Sequence, residues 1–86
     1  MTQTIRVNYY AQLREALKTG SEEVSVDLPA SEGDILERLA QLHPRQRDLF
    51  LASRVAVDEN YVDARALIEG SDRISVIDII SPISGG

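Results

Sequence analysis

The hydrophobic pattern predicts a small α+β domain: a mixed four- to five-stranded sheet with one main helix packed across it. Three observations carry this. Residues 4–10, 22–28, 54–57 and 74–80 show period-two alternation or near-continuous apolar character, the mark of strands. One strong helical stripe lies between them, at Ile35, Leu36, Leu39 and Leu42. Helix and strand do not alternate regularly enough for a doubly wound sheet. A chain of 86 residues with 43% apolar content suits one domain with one core.

In residues 4–10, Ile5, Val7 and Tyr9 alternate with Arg6 and Asn8, which predicts one buried face and one polar face. Residues 11–18 read as a short helix, with Leu13, Ala16 and Leu17 on one side and Gly20 as the stop. Val24, Val26 and Leu28 then share one face of a second strand. Pro29-Ala30-Ser31 breaks it. Ser31 is a good N-cap, followed by Glu32 and Asp34, where the helix dipole favours negative charge. Pro44 ends the main helix, and His43 at that end is expected in a helix-terminal or surface role. Residues 45–53 are mixed; Leu49, Phe50 and Leu51 close over the core or form an exposed apolar patch. Val55 and Val57 point inward, residues 58–60 turn, and Tyr61-Val62 begins a short return strand. Residues 64–68 are irregular or form one helical turn, residues 69–72 turn again, and residues 74–80 form the last strand, with Ile74, Val76 and Ile80 on the inward face and an end that is apolar on both faces. The expected core is Ile5, Val7, Val24, Val26, Ile35, Leu39, Leu42, Val55, Val57, Ile74 and Val76. With the first and last strands side by side and parallel at the centre, this is a β-grasp (ubiquitin-like) arrangement. It divides into a domain over residues 1–80 and a flexible C-terminal tail over residues 81–86.

Composition excludes several chemistries. There is no cysteine, hence no disulfide, no thiolate metal site and no cysteine nucleophile. The net charge of −5 disfavours nucleic acid as a partner. No signal peptide or membrane-length apolar run is visible, so no membrane association and a cytoplasmic location are expected. No glycine-rich phosphate loop, metal-ligand spacing or serine–histidine pairing stands out, and no catalytic site of its own and no bound cofactor are expected. What remains is the tail, Ser81-Pro82-Ile83-Ser84-Gly85-Gly86. No charged side chain follows Asp78, so a partner can desolvate the segment cheaply. Pro82 restricts the backbone, and two glycines fit a narrow channel. The terminal carboxylate is a poor electrophile until adenylated. It can then be converted to a thiocarboxylate, or joined to an amine as a protein modifier. The tail alone does not separate these chemistries.

The opening Val7-Asn8-Tyr9-Tyr10-Ala11-Gln12-Leu13-Arg14-Glu15 resembles that of the small subunits of molybdopterin synthase, β-grasp sulfur carriers with an Ala-x-x-Arg-Glu motif. So do Leu42-His43-Pro44, Val55-Ala56-Val57-Asp58-Glu59-Asn60-Tyr61-Val62, Gly70-Ser71-Asp72-Arg73-Ile74-Ser75-Val76-Ile77 and the closing Pro82-Ile83-Ser84-Gly85-Gly86. The resemblance implies that an E1-like enzyme uses ATP to adenylate Gly86. A cysteine desulfurase or rhodanese-type donor then supplies sulfur for a thiocarboxylate. The tail, Ser81, Pro82, Ile83, Ser84 and Gly85, would enter the large synthase subunit, within a heterotetramer, to build the dithiolene on cyclic pyranopterin monophosphate. Phe50, Ile77, Ile79 and Ile80 are the expected partner-binding face. Two departures stand out: Ser81-Pro82 replaces the family's Pro-Pro, and Asp78-Ile79-Ile80 looks inserted, which would lengthen the tail, lengthen the strand or make a bulge. Thiamine or tRNA thiolation, a ubiquitin-like modifier and a plain interaction module are the alternatives.

Overall fold

The computed structural model describes residues 1–70 and 74–82. β1 (Thr2–Tyr9) leads through α1 (Ala11–Leu17) to β2 (Ser21–Asp27), the short β3 (Ala30–Ser31) and α2 (Glu32–Leu42). A 3-10 turn (Pro44–Gln46) and α3 (Arg47–Leu51) precede β4 (Arg54–Val57), β5 (Asn60–Tyr61), β6 (Leu67–Ile68) and β7 (Val76–Ile80). The main sheet has the order β2-β1-β7-β4-β5, and β3 pairs with β6 in a separate ribbon. β1 and β7 run parallel, with Arg6 beside Val76 and Tyr9 beside Ile79; the other pairings are antiparallel. The first and last strands therefore lie together inside a mixed five-stranded sheet, as the element order predicts for a β-grasp domain.

Alternation fixes β1 and β2 as expected. Ile5, Val7, Tyr9, Val24 and Val26 are buried, while Arg6 and Glu23 face solvent. α2 begins with the expected cap: Asp34 N–H donates to Ser31 Oγ at 3.1 Å, and Ser31 N–H donates to the Asp34 carboxylate at 3.0 Å. This reciprocal pair satisfies donors that the first helical turn leaves free. Glu32, buried beside it, accepts from Val55 N–H at 2.9 Å and Arg54 Nε at 3.1 Å. A buried carboxylate needs such partners, and these two tie the start of α2 to β4.

The helix face differs from the expected one. Ile35, Leu36, Leu39 and Ala40 are buried, and the same 3.6-residue progression continues to His43 rather than Leu42. Leu42 is 42% exposed and is not core. The mixed segment contains α3, which turns Phe50 fully inward. The last strand has the opposite phase to that expected: Ile77 and Ile79 are buried, whereas Ile74, Val76 and, on β4, Val57 are only partly buried. Residues 74–80 are apolar on both faces, so alternation alone does not choose the phase. Pairing chooses it, because Ile77 lies beside buried Val7 and Ile79 beside buried Tyr9 and Val55.

Candidate functional site at the end of the last strand

Asp78-Ile79-Ile80 is not an addition to the tail. All three residues belong to β7 and pair in register with β4, Asp78 with Ala56, Ile79 with Val55 and Ile80 with Arg54. Of the three alternatives, a regular continuation of the strand is the one observed. Asp78 lies on the face away from α2. Its carboxylate accepts from Asn8 Nδ2 at 3.0 Å and from Tyr10 Oη at 3.1 Å. Loss of hydration and the Asp78 carboxylate together raise the Tyr10 hydroxyl pKa, so it stays protonated and donating. This cluster joins the ends of β1 and β7 where the chain leaves the sheet.

Ser81 is still part of the folded body. It is 5% exposed, and its hydroxyl lies 3.5 Å from the Tyr10 carbonyl, to which it donates. Ser81 as a residue of the partner-binding tail is therefore corrected to an anchor, and Pro82 is the first exposed residue beyond it. Ile83, Ser84, Gly85 and Gly86 lie outside the described residues.

Three members of the expected partner face are corrected as well. Phe50, Ile77 and Ile79 are fully buried against the helical layer and present no surface. Their apolar character serves the core. Ile80 is half-buried on the open side of the sheet.

The open side supplies what surrounds it. Val76, Asp78 and Ile80 line the centre, Arg6 and Asn8 flank them on β1, and Ala56 and Arg54 on β4. Tyr61 pairs with Ala56 and is 62% exposed, with the Arg54 guanidinium 5.6 Å from its ring centroid. Sequence reasoning did not single out Tyr10 or Tyr61. The signal for Tyr61 was available: if Val55 and Val57 point inward, Ala56 and its neighbour across the turn point outward.

His43 stands at the helix end as expected, as the half-buried C-cap of α2. Its Nε2 lies 2.7 Å from a Glu22 carboxylate oxygen that also accepts from Tyr9 Oη at 2.8 Å. The imidazole stacks on Phe50, centroids 5.8 Å apart, and meets Tyr9 edge-on at 6.4 Å. Burial, reinforced by the Glu22 hydrogen bond, pushes the Tyr9 hydroxyl well above the ordinary tyrosine range. This network closes the core at the end of α2. Among the described residues, no three His, Asp or Glu side chains gather as metal ligands would, and no helix is long and apolar enough to cross a membrane.

Several solved structures share this fold. A molybdopterin converting factor subunit 1 assigned as putative from Pyrococcus furiosus aligns with TM-score 0.69 at 20% identity, over 93% of this chain and 98% of that one. Small archaeal modifier protein 1 of Haloferax volcanii aligns with TM-score 0.70 at 19% identity, over 93% and 98% respectively. A complex of subunits 1 and 2 of the molybdopterin-converting factor from Helicobacter pylori gives TM-score 0.54 at 16% identity, over 98% of this chain and 100% of the matched one. At these identities the likeness concerns the β-grasp fold. Residues 7–86, from the middle of β1 through both terminal glycines, match the ThiS family, and the chain belongs to that family.

Proposed function

We propose that this chain is the sulfur-carrying subunit of a molybdopterin synthase. The observation that supports this most directly is the course of its last residues. A central strand, held on both sides, ends in the Asp78–Tyr10–Ser81 anchor, and the uncharged Pro82-Ile83-Ser84-Gly85-Gly86 follows. A rigid base with a tail free of charged side chains suits delivery of one terminal group into a partner's enclosed site. Membership of the ThiS family and the likeness to a converting factor's first subunit favour the same reading.

In this reading the Gly86 carboxylate attacks the α-phosphorus of ATP in an E1-like enzyme and releases pyrophosphate. The terminal sulfur of a donor persulfide attacks the acyl carbon and expels AMP. A thiol then cleaves the S–S bond, leaving the thiocarboxylate on Gly86 and a disulfide on the donor side. In the large synthase subunit the thiocarboxylate sulfur attacks cyclic pyranopterin monophosphate to give a thioester. Water cleaves its acyl–sulfur bond to leave the sulfur on the pterin and return the Gly86 carboxylate, and two such deliveries supply both dithiolene sulfurs. The open sheet face docks the large subunit, with Ile80 at the tail exit and Tyr61 and Val76 farther along the face. The site works in the cytoplasm, and the catalytic side chains belong to the partners.

A second reading, a ubiquitin-like modifier, is favoured by the likeness to small archaeal modifier protein 1. One experiment separates them. The chain is incubated with ATP, a molybdopterin-pathway activating enzyme and a sulfur donor, and its intact mass is measured. The sulfur-carrier reading expects a gain matching replacement of one oxygen by sulfur, mapped to Gly86. Isopeptide adducts on other proteins without that change would establish the modifier instead. A chain lacking Gly85 and Gly86 that still supports molybdenum cofactor synthesis would overturn the sulfur-carrier reading.

A further inference from the structure

The main sheet has two edges, and they are unlike. β5 is two residues long and offers little to a neighbour. β2 is seven residues long and forms the opposite edge. Its register fixes which backbone groups are free. Met1 and Leu28 exchange bonds, Leu28 N–H to Met1 O and the Met1 amine to Leu28 O, each at 2.8 Å. Bonding alternates along an antiparallel pair, so Val26, Val24 and Glu22 also turn their amides and carbonyls toward β1. Glu23, Ser25 and Asp27 therefore turn theirs outward. Beside this edge lies a groove of about 510 Å³. Val26, Pro29 and Ala30 line it, together with Asp34, Arg38 and Gln41 of α2. Arg38 Nε donates to Ser25 O at 3.2 Å and occupies one of the outward acceptors.

We propose that this edge and groove form a second docking site, separate from the tail, which takes an extended peptide of another protein as a sixth strand. The charges specify its chemistry. Glu23 and Asp27 stand four residues apart on one face of the edge, and both are exposed. A strand added here places two of its own residues opposite them, where Lys or Arg is favoured. Its intervening residues point toward α2, on the side of Val24 and Val26, where β-branched residues suit an added strand. The preferred occupant therefore alternates cationic and β-branched residues. A second copy of this chain is disfavoured: antiparallel β2–β2 pairing about Ser25 sets Glu23 against Asp27 twice. The chain's own tail carries no cation to match the acids. Displacing Arg38 from Ser25 O is part of binding. The site does not depend on the sulfur-carrier reading.

The test uses two synthetic peptides, acetyl-Lys-Val-Thr-Val-Lys-amide and acetyl-Glu-Val-Thr-Val-Glu-amide, titrated into the isotope-labelled chain. The cationic peptide is expected to shift the amides of Glu23, Ser25 and Asp27 and to slow their hydrogen exchange. The acidic peptide is expected to bind at least about 10-fold more weakly, because two cross-strand attractions become repulsions. Reversing Glu23 and Asp27 together to Lys should invert the order. Ser25→Pro removes an outward N–H without breaking a β1–β2 bond and should abolish binding. Arg38→Ala frees the Ser25 acceptor and should tighten it. Equal response to both peptides, shifts confined to other residues, or no shift at millimolar peptide would each overturn the proposal. A concentration-dependent dimer that perturbs these amides without peptide would also overturn it, in favour of self-pairing. If Ser25→Pro unfolds the chain, the charge-reversed variant decides.

Discussion

The two faces of β7 carry the same residue types to opposite ends. Ile77 and Ile79 point toward α2 and are fully buried; Val76 and Ile80 point away and stay half-exposed, with Asp78 between them. The covered face meets Val7, Tyr9 and Val55 and needs no partner. The open face meets Arg6, Asn8, Arg54 and Tyr61, where apolar side chains remain within reach of another protein. An isoleucine count therefore says little about docking in this strand. What matters is parity within the ladder, which sets each residue's face.

The comparison breaks most visibly if the covered face is thinned. Ile79→Ala removes buried methyl and methylene groups in contact with a close-packed core, and should cost about 3 kcal/mol. Urea unfolding measures it directly. Binding to a large synthase subunit, at a temperature where the variant is folded, should remain near that of the parent. A strong loss of affinity with no loss of stability would place Ile79 at an interface and reverse the assignment of the faces.

Ile80→Asp probes the other face, with a smaller effect on the domain. Arg54 lies directly across from Ile80, so the new carboxylate gains a cationic neighbour at a partly solvated position. Stability should change by less than about 0.5 kcal/mol. If the open face docks the large subunit as proposed, affinity for it should fall by at least about 10-fold, because the charge would have to be buried at the contact. Calorimetric titration beside a melting curve separates the two. Unchanged affinity in a folded variant would remove the open face from the docking surface.

Much of this division was legible before the structure. Alternation of Ile5, Val7 and Tyr9 with polar residues sets the phase of β1, and Ser31 with Asp34 marks the start of α2. Both rest on local chemistry, which a sequence displays. β7 was not legible in the same way, because isoleucine or valine occupies positions on both its faces and its neighbours decide between them. The contacts of His43, though not its place at the helix end, were hidden for a related reason. The helical stripe continues through it, but a histidine beside Pro44 resembles an exposed helix end unless Glu22 and Phe50, distant in sequence, are known to meet it. Ser81 reads as the start of a tail, yet the Tyr10 carbonyl holds it to the body. The reach of the tail is set at such long-range contacts.

The polar groups of the covered face sharpen the comparison in the smallest way, since they too serve the fold. Tyr9 Oη, at the buried end of β1, donates to Glu22, which also holds His43. Tyr9→Phe keeps the ring against Phe50 and removes only this bond to a charged acceptor, at a cost of about 1–2 kcal/mol near neutral pH. The pH dependence identifies the cause. Burial first, and then Glu22, raise the Tyr9 hydroxyl pKa in the folded chain above its unfolded value of about 10. The folded state thus holds this proton more tightly than the unfolded state. The associated stabilisation is complete below pH 10 and is lost progressively above it, as the unfolded chain ionises first. Parent and variant should therefore differ most near pH 7 and converge as the pH rises from 10 to 11, followed by urea unfolding at each pH. Parallel curves throughout would mean that the hydroxyl is not the group responsible, and that the Tyr9–Glu22 bond contributes little to holding α2 against the sheet.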